Sequence, residues 1–360
     1  VPSPHSTASS SSTSDMRRRI RSLLRRRRPL VFSGTSNREL AERIADRLGT
    51  ALGPVEHETF ANGETYCRFG ESIRGADVFI VQSCSPPVND HLVELLLMIH
   101  AARLASAHRI TAVMPWFPYS RQDKKSASRE PISARLVADM LEAAGADRVL
   151  TMDLHAGQIQ GFFEIPVDHM TALPLFADHF RKLAREGATL VAVSPDLGRV
   201  KLARRLSRAL DADLAVVTKT RPGHDLAEAA EVVGAVRGKV VVMGDDMIVT
   251  GSTLVSAGEA LLAAGALEVH AFATHALFAE GALDRLQTSE ISEIAVTDTV
   301  WTFSRTRSRM SSPTGPCRLC SPGRSSSDGC TGSAVIDWRT RTRGRFTGAD
   351  LGSSYRRVRN

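Results

Sequence analysis

From Val240 to Gly258 the chain reads Val-Val-Val-Met-Gly-Asp-Asp-Met-Ile-Val-Thr-Gly-Ser-Thr-Leu-Val-Ser-Ala-Gly. Two adjacent carboxylates, Asp245 and Asp246, precede Val249 and a Thr250-Gly251-Ser252-Thr253 turn. Backbone N–H groups of such a turn, placed at the start of a helix, make a cradle for a phosphate. The carboxylates repel that phosphate and suit hydroxyls of a sugar attached to it. One short loop can thus hold a sugar phosphate by both ends. The same residues also fit an ordinary strand-to-helix turn whose Asp and Thr cap the helix.

Three further groups carry chemistry. His155, in Asp153-Leu154-His155-Ala156-Gly157-Gln158-Ile159-Gln160-Gly161-Phe162-Phe163, and Asp196, in Ser194-Pro195-Asp196, each follow a strand-like run. An imidazole and a carboxylate can hold Mg²⁺ when phosphate oxygens and waters complete its octahedron. Lys219-Thr220-Arg221 places two cations in alternation before the Asp245 strand, a pattern suited to closing over a polyphosphate and stabilising charge as a phosphoryl group moves. Arg121 and Gln122 follow the aromatic cluster Trp116, Phe117 and Tyr119, which also reads as core aromatics beside a solvated charge run. No Gly-x-x-x-x-Gly-Lys-Ser/Thr run occurs, so a nucleotide must be held in another way.

The elements that position these residues alternate. Short apolar runs at Leu30–Ser33, Asp77–Gln82, Ile110–Met114, Val149–Met152, Leu190–Val193 and Val240–Met243 predict buried parallel strands. Helical spacing predicts helices over Glu39–Leu48, Asp90–Ser106, Ser133–Ala144, Lys201–Leu210 and Leu254–Ala264. Asn62-Gly63 predicts a turn. The unit opening at Ser33 and the unit at Ser194 share their strand-loop-helix order, an internal duplication. The fold expected is α/β, with two duplicated domains over 30–172 and 173–300, each built on a mainly parallel sheet flanked by helices. Ligands of such sheets sit beyond the carboxyl ends of the strands, where these loops lie.

Charge is unevenly distributed. The whole chain carries +7, with +7 in residues 1–30 and +9 in residues 301–360, so residues 31–300 carry −9. An acidic body argues against a nucleic-acid surface. Residues 1–29 are Ser- and Arg-rich and bury no core; they read as an organellar transit segment or as a start placed upstream of Met16. Residues 301–360 hold twelve Arg, no Lys and no sustained apolar period, the composition of disorder or of a shifted reading frame. The five cysteines form no disulfide framework, and Cys317, Cys320 and Cys330 are a poor zinc set. No apolar run has the length of a membrane span, so a soluble protein is expected; the compartment expected is the cytoplasm, with organellar import as the alternative.

The acid-acid-Met-Ile-x-Thr-Gly-x-Thr order resembles the ribose phosphate loop of phosphoribosyltransferases and of the ribose-phosphate pyrophosphokinase (PRPP synthetase) family. Over residues 31 to about 300 the chain is similar to the latter, on Phe60-Ala61-Asn62-Gly63-Glu64, Gln82-Ser83-Cys84-Ser85-Pro86-Pro87-Val88-Asn89, Tyr119-Ser120-Arg121-Gln122-Asp123-Lys124-Lys125 and the Thr151–Phe163 segment. Phosphoribosyltransferases lack these first-half segments. The resemblance implies transfer of the pyrophosphoryl group of Mg-ATP to O1 of ribose 5-phosphate, giving PRPP and AMP for nucleotide, His and Trp synthesis. It implies ATP contacts at Phe60, Asn62, Gly63, Glu64, Arg121, Gln122 and His155, and Mg²⁺ at His155 and Asp196. It further implies Lys219 and Arg221 as catalytic cations and Asp245, Asp246 and Val249–Thr253 as the ribose 5-phosphate loop. Homohexamers that share ATP sites between subunits are also implied. Val249 stands where the family has a polar residue and Ser252 where it has Gly, and residues 301–360 replace its closing strand and helix. A catalytically silent regulatory subunit is the alternative.

Overall fold

A computed structural model of the chain describes residues 29–220, 229–300 and 333–337. Strand β1 (Pro29–Ser33) enters the core at Val31 and Phe32, and helix α1 (Arg38–Arg47) follows, with the Asn37 side chain accepting from Leu40 N as its N-cap. Strands β2 (Val55–Thr59) and β3 (Thr65–Phe69) form an antiparallel hairpin that turns at Asn62-Gly63. Gly63 takes φ +90°, which an L side chain rarely adopts. Then come β4 (Asp77–Val81), α2 (Val88–Leu104), β5 (Arg109–Met114), α3 (Ser133–Ala144), β6 (Arg148–Met152) and β7 (Val167–Met170). They complete a parallel sheet in the order β1-β4-β5-β6-β7.

The second unit opens with α4 (Leu173–Arg185), β8 (Leu190–Ser194), α5 (Val200–Leu210), β9 (Asp213–Thr220) and β10 (Ala229–Val233). It continues through β11 (Val240–Ile248), α6 (Ser252–Ala263), β12 (Glu268–Ala276), α7 (Ala282–Thr288) and β13 (Glu293–Thr297) to β14 (Ser333–Asp337). The sheet order is β10-β9-β8-β11-β12-β13-β14, parallel from β9 to β13 with an antiparallel strand at each edge. The order β1-β4-β5-β6 recurs as β8-β11-β12-β13, and a parallel bridge from Val31 to Leu52 lies beside β1 as β9 lies beside β8. The expected α/β fold of two duplicated units is therefore the observed one. Among the described residues no helix is long and apolar enough to cross a membrane. Residues 1–28 and the Cys317, Cys320 and Cys330 set lie outside the described residues, as does all of 301–360 except β14.

One strand differs from its expected length in a way that matters. β11 was expected to end at Met243 and runs on to Ile248, so both acids lie on strand backbone. β12 stays paired with it as far as Ile248–Ala276, whereas β8 leaves after Met243. The hydrogen bonds of β12 hold Asp245 and Asp246 extended while their other flank opens. Gly244 lies just before them because a Cβ there would come 2.1 Å from Cζ of Phe272 on β12. That ring is buried with Phe176 of α4, the centroids 4.4 Å apart.

The two sheets meet through the carboxyl ends of their strands. His275 of β12, fully buried, donates from Nε2 to the Met152 carbonyl at 3.0 Å. Asn37 donates to the Asp298 carbonyl at 2.7 Å, and Ser83 Oγ to the Thr299 carbonyl at 2.5 Å. This seam is largely polar, so it depends on hydrogen-bond geometry more than on buried apolar area.

Candidate active site

β8 crosses through α5 to β9 on one side, and β11 crosses through α6 to β12 on the other. Chains leaving a parallel sheet in opposite directions open a crevice at the carboxyl ends of the two strands. Asp196 lies in that crevice after β8, and Asp245, Asp246 and the Thr250–Thr253 turn follow from β11. His155 reaches it from the loop after β6 in the first sheet.

The turn is made by its glycine. Gly251 has φ +75° and caps α6, and a Cβ there would lie 2.9 Å from the Leu286 side chain. Ser252 begins the helix, exposed, its hydroxyl 3.0 Å from that of Thr250. Arg285 of α7 donates to the Thr250 carbonyl at 2.6 Å. Val249 is half-buried, and its carbonyl accepts from Ala279 N at 2.8 Å. The Ser252 side chain therefore costs no close contact, and the turn's outer face stays open.

Within the crevice His155 Nδ1 lies 2.9 Å from Asp246 Oδ2. Arg199, at the end of a short 3₁₀ turn after Asp196, places Nε 2.6 Å from Asp245 Oδ1 and Nη2 against Asp246 Oδ1. Nη2 is also 2.8 Å from His155 Nδ1. Burial pushes the Asp245 carboxyl up, and the neighbouring Asp246 charge adds to it. Burial opposes the Asp246 charge too, but the His155 hydrogen bond and the Arg199 guanidinium hold that carboxyl below its usual range. One of the two acids thus carries the firm charge.

Asp196 spends Oδ1 on Gly198 N at 2.8 Å and Arg199 N at 3.1 Å. Its Oδ2 and the Nε2 of His155 accept or donate no hydrogen bond among the described residues. Among these residues no group of three or more His, Cys, Asp or Glu closes around an ion. An imidazole nitrogen and a carboxylate oxygen are donors of the kind Mg²⁺ uses with phosphate and water.

The other expected residues stand apart. Phe60 to Glu64 form the tip of the β2–β3 hairpin, with Phe60 45% exposed and its ring 5.9 Å from that of Tyr66. Arg121 and Gln122 are exposed, and Gln122 accepts from Ser133 Oγ at 2.5 Å. No hydrogen bond or ion pair among the described residues joins either group to the acid pair. The Lys219 backbone lies in β9 opposite Ala230, and Arg221 lies outside the described residues. Asp196 follows β8, the counterpart of β1, whereas His155 follows β6. Arg199 was not anticipated; an Arg three residues after an Asp in a loop carries no signal that its partners lie 46 and 47 residues further on.

The N-terminal domain of ribose phosphate pyrophosphokinase matches residues 30–145, and the phosphoribosyl synthetase-associated domain matches residues 204–310. A ribose-phosphate pyrophosphokinase of Fusobacterium nucleatum is 47% identical over 270 residues, 75% of this chain and 85% of that protein. The chain belongs to the ribose-phosphate pyrophosphokinase family. A second member, from Thermotoga maritima, is 48% identical over 75% of this chain and 86% of its own. The phosphoribosylpyrophosphate synthetase of Mycobacterium smegmatis, in its crystal structure, superposes with a TM-score of 0.73 at 44% identity, covering 78% of this chain and 91% of that one. The first family model takes in the Phe60 hairpin with Arg121 and Gln122, and the second takes in Lys219, Arg221 and the Asp245 turn, while His155, Asp196 and Arg199 lie between the two matched ranges.

Proposed function

We propose that this chain makes 5-phosphoribosyl 1-diphosphate from Mg-ATP and ribose 5-phosphate. O1 of the sugar attacks the β-phosphorus of ATP, the bond from that phosphorus to the bridging oxygen of the α-phosphate breaks, AMP departs with the oxygen, and the hydroxyl proton passes to water. The observation that carries the reading is the crevice itself: two carboxylates and a helix-capping turn on one strand, met by His155 from the other sheet. Asp245 and Asp246 accept from ribose hydroxyls, and the Thr250–Thr253 turn receives the 5-phosphate. Lys219 and Arg221 neutralise charge that develops on the transferred group.

The donors His155 Nε2 and Asp196 Oδ2 support Mg²⁺ as the cofactor. When bound there the ion screens phosphate charge and orients the polyphosphate. Arg121 and Gln122 contact ATP. The exposed Phe60–Glu64 tip serves the adenine of a neighbouring copy, which makes a homo-oligomer, as a hexamer, the working form. A large aromatic held in solvent beside Tyr66 is what such a shared site requires. The cytoplasm is the proposed compartment, and a fluorescent fusion to residues 1–29 decides between it and an organelle.

The test is AMP release from purified protein sized by light scattering. AMP is expected only with ATP, Mg²⁺ and ribose 5-phosphate all present, from an oligomer, and Lys219→Ala is expected to lose at least about a hundredfold in kcat. An oligomer that binds both substrates and releases no AMP would instead establish the silent regulatory subunit.

A further inference from the structure

Arg199 occupies the acid pair more completely than a surface cation would. Its side chain is 16% exposed, and all three guanidinium nitrogens are engaged: Nε on Asp245 Oδ1, Nη2 on Asp246 Oδ1 and His155 Nδ1, and Nη1 3.4 Å from the His155 carbonyl. The carboxylate oxygens can be accounted for one by one. Asp245 Oδ1 also accepts from Asp246 N at 2.8 Å, and Asp246 Oδ2 faces His155. Asp246 Oδ1 is buried under Nη2 with no aligned hydrogen bond, so it has a nearby charge and no directed donor. Among the described residues Asp245 Oδ2 accepts no hydrogen bond.

A vicinal diol gives two hydrogen bonds and needs two acceptor oxygens. With Arg199 in place the crevice offers one oxygen. The guanidinium and a diol therefore compete for the same atoms. His155 Nδ1 meets the same conflict, since it cannot donate to Asp246 and accept from Arg199 through one nitrogen at once. Withdrawal of the guanidinium resolves both: it frees Asp246 Oδ1 for a well-aligned hydroxyl and leaves His155 as the donor to Oδ2.

We propose that Arg199 is an affinity- and specificity-determining residue of the sugar site, an internal ligand of Asp245 and Asp246 that a sugar diol must displace to bind. This rests on the reading of the acid pair as the ribose site. The arm is short and local: Arg199 ends the three-residue turn Leu197–Arg199, so the side chain can leave without moving β8 or β11. Because the guanidinium competes with the diol and not with the phosphate, its removal strengthens binding of sugars with two adjacent hydroxyls more than binding of those with one.

The experiment is calorimetric titration of ribose 5-phosphate and of 2-deoxyribose 5-phosphate, with Mg²⁺ and a non-hydrolysable ATP analogue. The proteins are wild type, Arg199→Met, which keeps length without charge, and Arg199→Lys, which keeps charge without the fork. Arg199→Met is expected to lower the Kd of ribose 5-phosphate about tenfold, to lower that of the deoxy sugar less, and to leave Arg199→Lys between it and wild type. Weaker or unchanged binding in Arg199→Met, or equal gains for both sugars, overturns the inference. Should the variants not fold, labelling of Arg199 by phenylglyoxal in wild type decides: it rises on adding ribose 5-phosphate if the side chain is displaced, and a fall or no change overturns the inference. A wild type that binds the sugar and releases AMP keeps the functional reading alive even when the Arg199 arm fails. A wild type that does neither removes both.

Discussion

Thr274 Oγ1 donates to Asp153 Oδ2 at 2.7 Å, tying a central strand of the second sheet to the loop that carries His155 out of the first. The same carboxylate oxygen accepts from Ala172 N at 2.8 Å, and Asp153 itself takes φ +34°. Only Leu154 separates it from His155, so the position of the imidazole over Asp246 depends on how Asp153 is held.

Thr274→Val keeps the shape of this buried side chain and removes its donor. Asp153 is half-buried and keeps the Ala172 donor, and a hydrogen bond to a charged group contributes about 1.5–3 kcal/mol. Urea unfolding is expected to show a loss in that range, and an unchanged midpoint would mean that the seam does not need this bond.

Gly251 and Gly281 share φ +75°, but only Gly251 has a neighbour within reach of a Cβ, Leu286 at 2.9 Å. Alanine at either position meets about 1–2 kcal/mol of left-handed backbone cost. Gly251→Ala is expected to cost more than Gly281→Ala and also to weaken ribose 5-phosphate binding, whereas Gly281→Ala should leave binding alone. Equal thermal shifts for the two would remove the role given to Leu286.

Glu293 accepts from His179 Nε2 at 2.8 Å and from His270 Nδ1 at 2.9 Å. Burial opposes its charge, but these two hydrogen bonds win and hold the carboxyl down at about 2 instead of 4.5. A carboxyl with a depressed folded value stabilises the protein above its unfolded value and loses that contribution as pH falls from 4.5 towards 2. The amount at stake is on the order of 3 kcal/mol. Glu293→Gln should flatten the stability profile in that window, which denaturant melts at stepped pH would reveal; an unaltered slope would assign acid sensitivity to another group.

Val249 is half-buried at the entrance to the turn and has no polar side-chain atom to offer a sugar. Val249→Asn adds one hydrogen-bonding group there, worth about 0.5–1.5 kcal/mol when made. The KM for ribose 5-phosphate is expected to fall by up to about tenfold with kcat little changed. A higher KM would show that the apolar side chain is itself part of the fit.

Much of this arrangement was legible from residue order. Runs such as Leu190–Val193 and Ile110–Met114 are buried on both faces and contain little but apolar residues, so they announce parallel strands. The β2–β3 hairpin was visible only as its Asn62-Gly63 turn, because its strands alternate half-buried with exposed residues and lie outside the main sheet. The extension of β11 through Asp245 and Asp246 was hidden for a different reason. Acids end an apolar run, and what keeps them on a strand is β12, more than twenty residues away. Arg199 was hidden in the same way, since ion pairs between a loop and a distant strand follow from topology and leave no local pattern.

The contact of Gly244 with Phe272 has a consequence for which sequences this fold can reach. A single step to Ala at 244 meets the ring at 2.1 Å, and a single step to Leu at 272 leaves a void beside Phe176. Each exchange is tolerable only in the presence of the other, so the pair is isolated by a valley whichever step comes first. The acid pair inherits that isolation: its nearest backbone neighbour is pinned not by any ligand but by an aromatic ring on the next strand, and chemistry at 245 and 246 is free to vary only on a scaffold that is not.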